Sequence, residues 1–454
     1  MSYLIVTALL SLLLFAWLKE RVLYVIFPWA YVQNFVLAWM YTSGLAGRDL
    51  CHALVLIKEF LLLILFLYFL PRLREYGSGK LPLPVSILGF FTAWCVVRYL
   101  IAVIFQGEKL FDNLFNLRMA CFPLQILTVA VGVAQMRPDF AMRFIRQMAY
   151  LVSFLALVGI VLYIPLETTF WRDHVDFFSY TVDVKSESVD IDTSDLAEQQ
   201  AAAKGVVGNG IAREEFAFLS PFRAMGTIGD AVGFGHLVAF PVLLLAFCLP
   251  QNWKTQLLLL VTLTALLFSF TRSAWIFALA GSGFVLLRKR RYRLVLGFAA
   301  VPAIALLMWP PMADWFSSSL DLVSSNTPDQ HINGITWFYT QGIWDLHYLF
   351  GRDLSSPLVE GGYGILLIRF GLPAVLSIVW FCFALSKELL QAPLGRKPLF
   401  LVAQAVPLTM LVTLNFSAYQ FGFIPYLLVW FAVGTCLALA TPVTNSASRL
   451  GGEA

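Results

Sequence analysis

His52 to Pro71 reads HALVLIKEFLLLILFLYFLP, twenty residues holding a single Lys-Glu pair and followed at once by Arg72 and Arg74. At 1.5 Å rise per residue, a helix of this length crosses about 30 Å, the thickness of a bilayer's hydrocarbon core. Inside lipid every backbone amide must find its partner within the segment, so the stretch is read as a membrane-spanning helix. The two arginines mark one end as cytoplasmic by the positive-inside rule. Lys58 and Glu59 then sit toward the other end, in a place where charge is costly.

The rest of the chain repeats this pattern. It has 454 residues, 59% hydrophobic and 13% charged, with 40 phenylalanines and a mean hydropathy of +0.78. Soluble domains run at about 45–50% apolar and about 25% charged. That difference excludes an ordinary soluble protein and predicts an all-α polytopic membrane protein of about 12–13 transmembrane helices. Apolar runs place spans at about 3–18, 22–40, 52–71, 82–105, 114–136 and 145–166. Further spans fall at about 230–249, 255–270, 272–287, 294–310, 361–386, 399–415 and 418–440. Of the six cysteines, five lie in apolar runs and Cys51 lies at the edge of one, with no CxxC pair. No disulfide framework, metal site or cofactor is implied, and nucleic acid is not an expected partner.

Basic residues set the orientation. Arg288, Lys289, Arg290, Arg291 and Arg293 fix one short loop as cytoplasmic, and alternation puts 18 of the 31 Lys and Arg residues on that side. Each short loop on the opposite side carries at most one. The N-terminus is expected outside and the C-terminal tail, 441–454, inside. Positive charge follows the first apolar run instead of preceding it, and no A-x-A site is present, so that run is read as a retained span. The expected organisation is therefore N-terminal helices over 1–166, an exoplasmic loop over 167–229, central helices over 230–310, a second long exoplasmic loop over 311–360 and C-terminal helices over 361–440. The first loop holds eleven acids from Glu167 to Glu215 against four basic residues, net −7.

Lys58, Arg98, Arg118 and Arg369 lie inside predicted spans, each about 6–12 Å from the outer end of its helix. A basic residue at the bilayer centre costs about 2.5–3.5 kcal/mol on the insertion scale. Arg272 begins a span at the outer surface, and Arg223 precedes another. One plain account is that these side chains snorkel to headgroups, with Lys58 paired to Glu59. Snorkelling has no preference for one leaflet, yet apart from Arg146 at the very start of 145–166 no span carries a basic residue in its cytoplasmic half. The sharper expectation is an outward-opening basic cavity for an anionic ligand at headgroup depth, such as a lipid pyrophosphate, since guanidinium groups bind phosphate oxygens bidentately. His236 lies at similar depth in GFGH; it serves either as a hydrogen-bonded core histidine or in the site. Gly226, Gly229, Gly233 and Gly235 allow close approach of a ligand or of another helix.

Three stretches in this order carry a family resemblance: RAMGTIG (Arg223 to Gly229), SFTRSAW (Ser269 to Trp275), and YLFGRD (Tyr348 to Asp353) followed by EGGYGILLIRFG (Glu360 to Gly371). With the topology and the two outer loops, they resemble the O-antigen ligase and polymerase superfamily, the Wzy-type polysaccharide polymerases and O-antigen ligases related to the GT-C glycosyltransferases. The resemblance covers roughly residues 215 to 385. It implies transfer of a sugar chain from an undecaprenyl-pyrophosphate carrier on the outer face of a bacterial inner membrane, with Arg223 and Arg272 on the pyrophosphate. A chain-length regulator is the protein partner it suggests. Ligases of the family carry His-Asn before the Tyr-Leu span, where this chain has Glu360-Gly361. The family's arginine early in the long loop is also absent, near Gly334. The missing histidine leans toward a polymerase.

The expected chemistry is a metal-independent displacement at an anomeric carbon. Preorganised arginines stabilise a pyrophosphate leaving group, so the acceptor hydroxyl is the group that needs a base. Glu360 is the first candidate, with His331, His347 and Asp353 behind it. Trp315, Trp337, Phe338, Tyr339, Trp344 and Tyr348 are available to stack on sugars, and the Trp337–Trp344 spacing also suits one face of an amphipathic helix at the membrane surface. A ligase and a polysaccharide flippase are the alternatives. Against a flippase, the buried charges stop at the outer half and no internal repeat relates the two halves.

Overall fold

A computed structural model of the protein describes residues 2–71, 73, 82–107, 114–163, 175, 180, 224, 227, 231–269, 271–291, 335–352, 361–416 and 419–440. The predicted span at 294–310 and most of both long loops lie outside these residues. Among them the chain is an all-α polytopic membrane protein with no strand.

Six helices lead: α1 (Ser2–Leu18), α2 (Leu23–Thr42), α3 (Arg48–Phe69), α4 (Leu83–Phe105), α5 (Leu114–Met136) and α6 (Pro138–Tyr163). After the first long loop come α7 (Ala231–Phe247), α8 (Trp253–Phe268) and α9 (Arg272–Arg288), and after the second α10 (Gly362–Phe370), α11 (Leu372–Gln391), α12 (Pro398–Thr413) and α13 (Phe423–Ala440). Five of them, α3, α4, α5, α6 and α11, are long and apolar enough to cross a membrane alone.

The bundle is built around α13 and α5, its most extensively packed pair. Tyr426 and Val429 through Val433 are buried along α13, as are Ile126, Leu127 and Val129 through Val131 along α5. Gly434 allows the approach, since a Cβ there would lie 2.7 Å from Ala130 Cβ and 2.9 Å from the Leu127 carbonyl oxygen. Without a hydrophobic force between helices in lipid, such close van der Waals packing holds them together. The outside of the bundle is apolar, as a lipid-facing surface must be: Leu13, Trp17, Ile104, Phe105 and Phe383 are each more than 60% exposed. Several hydroxyls bond within their own helices, Ser11 to Thr7, Ser153 to Ala149 and Thr262 to Leu258, which spares them an unpaired group in hydrocarbon.

Two of the helix turns rich in basic residues meet at one end. Arg137 pairs with Glu20 and Tyr24 donates to Gln147, joining the α1–α2 and α5–α6 turns at one end. Lys289 sits 5.2 Å over the Phe247 ring at that same end of α7 and α9. Arg98, Arg118, Arg272 and Arg369 belong to the opposite end, the predicted outer face.

One expectation is corrected. The run read as a single span at 361–386 is two helices, α10 and α11, separated at Gly371. Gly371 adopts φ +82°, and a Cβ on it would lie 2.5 Å from the Leu349 carbonyl oxygen. The apolar pattern runs through this break because a glycine interrupts no hydrophobic run. The Tyr363 amide donates to the Leu414 carbonyl at the end of α12, while Leu372 starts α11 beside it. A nine-residue helix rises about 13 Å. Joining the ends of two packed helices, α10 therefore lies across the bundle end, which keeps Arg369 at the surface instead of 12 Å inside a span.

Replacing Gly371 by alanine forces a side chain into left-handed backbone and against a carbonyl. The expected cost is at least about 1–2 kcal/mol, read as a lower melting temperature of the detergent-solubilised protein. Alanine at Gly283, which has open space around it, is the neutral control.

Candidate functional site

The basic residues expected to ring one cavity fall into separate groups. Lys58 is 2% exposed, with its Nζ 3.1 Å from Glu59 Oε1 and donating at 3.0 Å to the Val55 carbonyl. Arg118 of α5 reaches the same carboxylate oxygen, Nη1 to Oε1, at 3.1 Å. Glu59 thus joins α3 to α5 with two cations on one carboxylate, and the plain account applies to Lys58: it is a paired charge.

His236 is likewise internal. Its Nε2 meets Ser273 Oγ at 2.9 Å and its Nδ1 meets the Tyr426 hydroxyl at 3.3 Å, so the ring ties α7 to α9 and α13. It is 2% exposed. Gly235 beside it serves helix packing, since a Cβ there would lie 2.6 Å from Thr271 Cβ. Arg272, half-buried at the start of α9, lies at the predicted outer end. Arg223, His331, Asp353 and Glu360 lie outside the described residues.

Arg98 belongs to a different arrangement. It is buried near the end of α4, and its Nη2 donates to Gln106 Oε1 at 3.0 Å. Gly351 covers it: a Cβ there would lie 3.1 Å from Arg98 Nε and 2.6 Å from the Arg369 carbonyl oxygen. The Arg352 amide donates to the Ile368 carbonyl at 2.7 Å, fastening this segment along α10. The Trp94 indole donates to the Phe370 carbonyl at 2.6 Å from below. Gly351 and Gln106 thereby form the floor of a cleft of about 520 Å³ whose other lining residues are Asp345, His347 and Arg352.

On the cleft wall Asp345 and His347 form a dyad. Asp345 Oδ1 accepts the His347 backbone amide at 2.9 Å and lies 2.7 Å from the ring Nδ1. This is an Asx turn, in which an aspartate binds the amide two residues on and aligns that residue's side chain. The backbone N–H of His347, then its ring, holds the Asp345 carboxyl below its ordinary range. An ionised carboxylate only accepts, so the ring Nδ1–H is the donor of this bond. The geometry holds the His347 imidazole on Asp345, with Arg352 lining the same cleft and Arg98 against its residues Gln106 and Gly351.

The second aromatic expectation is also corrected. The helix over 335–340 ends before a 3₁₀ turn, Gly342–Trp344, and a second, Leu346–Tyr348, so Trp337 and Trp344 do not share one helix face. Trp337 packs edge-on against Tyr348 at 5.2 Å, whereas Trp344 is 74% exposed. Phe338 stacks on Tyr363 at 5.6 Å and the Tyr339 hydroxyl donates to Asn415 at 2.8 Å. These contacts seat the loop on α10 and α12.

Asp345, Gln106 and Arg352 were not singled out from the sequence. The Asp-x-His spacing was a legible signal for the dyad, and Arg352 lay within YLFGRD; nothing marks Gln106. No protein-family model matches this chain, and neither a curated protein nor a solved structure matches it.

The Glu59 cluster gives a stability prediction. Glu59→Gln leaves Lys58 and Arg118 facing each other in lipid and is expected to cost about 3–5 kcal/mol, seen as loss of monodisperse protein on size-exclusion chromatography. Adding Lys58→Met is expected to restore much of that yield; no restoration would mean that Glu59 acts otherwise than as their counter-ion.

Proposed function

We infer that this protein transfers a lipid-pyrophosphate-linked oligosaccharide onto a second lipid-linked repeat unit, as a polysaccharide polymerase of the Wzy type. The setting is a bacterial inner membrane, the cleft facing the periplasm and the C-terminus the cytoplasm. The observation that carries this reading is the Asp345–His347 dyad set in one cleft with Arg352 and, beneath its floor, Arg98.

In this reading the acceptor hydroxyl donates its proton to His347 Nε2 and its oxygen attacks the anomeric carbon of the donor. The new C–O bond forms as the bond from that carbon to the phosphate oxygen breaks. The electron pair leaves with the pyrophosphate, whose charge Arg352 meets directly and Arg98 through the field of a buried guanidinium in a low-dielectric floor. The imidazolium is stabilised by Asp345. His347 thus takes the role for which Glu360 and His331 were the first candidates. The exposed ring of Trp344 beside the dyad offers a sugar-stacking face.

A general base contributes about 10²–10⁴-fold. His347→Gln is expected to lower polymer formation by that order, with Asp345→Asn intermediate, in proteoliposomes supplied with lipid-linked repeat units. Arg352→Ala is expected to lose about 1.5–3 kcal/mol of charge-assisted binding, as a higher KM for the donor. Normal polymer from His347→Gln would exclude it as the base.

The reaction class is tested in a deletion strain by mass spectrometry of the carrier-linked glycan on each membrane face. Single repeat units accumulating on the outer face are expected. Long chains remaining on the carrier would indicate a ligase, and single units held on the inner face would indicate a flippase.

A further inference from the structure

Arg98 fixes an orientation in the cleft as well as a charge. A guanidinium only donates, so the Gln106 atom 3.0 Å from Arg98 Nη2 is the amide oxygen Oε1, and the Nε2 group is turned to the other side. Arg98 is itself held in place: it is 2% exposed, and a Cβ on Gly351 would come within 3.1 Å of its Nε. Gln106 is the C-cap of α4, its backbone amide bonded to the Ala102 carbonyl, and Gly107 follows at φ +73°, the left-handed conformation that commonly ends a helix. Both partners of the Arg98–Gln106 bond therefore start from fixed backbone. Turning the amide over would set N–H against N–H and forfeit a bond to a charged group, a bias of about tenfold or more.

Gln106 is exposed and lines the cleft, and among the described residues nothing accepts a hydrogen bond from its Nε2. Asp345 lines the same cleft with Oδ1 committed to His347, through the backbone amide and the ring. Among the described residues no hydrogen bond engages its Oδ2. The cleft thus offers a ligand a neutral N–H donor of fixed sense together with a carboxylate acceptor. An acylamino group is matched to that pair, since its carbonyl only accepts and its N–H only donates. A hydroxyl does both and meets either group equally well, so it is not discriminated. A carboxylate on the ligand would face Asp345 with like charge.

We propose that the cleft selects sugars bearing an acylamino substituent, with the carbonyl on Gln106 Nε2 and the N–H on Asp345 Oδ2. Gln106 is the specificity-determining residue, and Arg98 is the positioning residue that sets the sense of its amide. The inference rests on the cleft being the sugar site of the proposed function and adds the class of sugar it takes.

The test measures binding of three methyl glycosides of one hexose by saturation-transfer NMR, with the full chain in nanodiscs free of sugar detergents. The probes are the 2-acetamido-2-deoxy glycoside, the parent glycoside and the uronide. The acetamido probe is expected to bind about two- to tenfold more tightly than the parent, the range of one net hydrogen bond. The uronide is expected to gain nothing over the parent. Gln106→Leu, at an exposed position, is expected to bring the acetamido probe level with the parent. Arg98→Met is expected to do the same, whereas Arg98→Lys, which keeps a donor, retains the preference. Weakening of all three probes alike by both Arg98 variants would make that residue structural and end its positioning role. Equal binding of the acetamido and parent probes by the wild-type protein, a preference that survives Gln106→Leu, or a preference for the uronide would overturn the assignment. The readout needs no glycan transfer, so selective binding without polymer formation would remove the proposed function and keep the specificity pair. Polymer formation with unselective binding would do the reverse.

Discussion

Backbone presses on backbone where Leu349, Phe350 and Gly351 meet Gly371. The Leu372 amide donates to the Leu349 carbonyl, the Arg352 amide to Ile368, and a side chain on Gly371 or Gly351 would collide with a carbonyl oxygen. In lipid, a helix break leaves amides and carbonyls that must be satisfied by protein. The loop supplies those partners, and α10 lies across the bundle end as a result. The cleft and the dyad on its wall depend on this joint, because it holds Gly351 and Arg352 against α10 and beside Arg98.

The basic residues show how one sequence signal divides into different physical roles. In Lys58 and Arg118 the charge is met by Glu59 between α3 and α5, so they serve the bundle. Arg98 is as buried as Lys58, but its neighbours include two cleft residues, Gln106, to which it donates, and Gly351. His236 belongs with the first kind, since Ser273 and Tyr426 engage both of its ring nitrogens inside the core. Hydropathy and depth alone could not separate these cases. They differ only in what stands on the neighbouring helix.

Legibility followed the range of the interaction. Spans such as Leu83–Phe105 and Pro398–Thr413 were readable because lipid selects apolar length, a local property of the chain. The Asp345–His347 pair was readable in principle from its two-residue spacing, an Asx-turn geometry that needs no distant partner. Gln106 had no such mark, because its place in the cleft comes from Arg98 eight residues earlier and from a loop some 245 positions later. The break at Gly371 lies in a run apolar on both sides, where only Arg369 and the Gly371–Pro373 pair mark it.

The amino-acid sequence by itself determined that this is an all-α polytopic membrane protein, where most of its helices run, and that basic residues within the spans gather toward one end. Those properties rest on the cost of putting polar groups into hydrocarbon, which is charged residue by residue. Only the tertiary structure decided which cations are neutralised, which histidine is buried and which lines a cleft, and that one apolar run folds as two helices. Those outcomes depend on contacts between segments far apart in the chain, such as Glu59 with Arg118 or Leu349 with Leu372, and no local pattern encodes them.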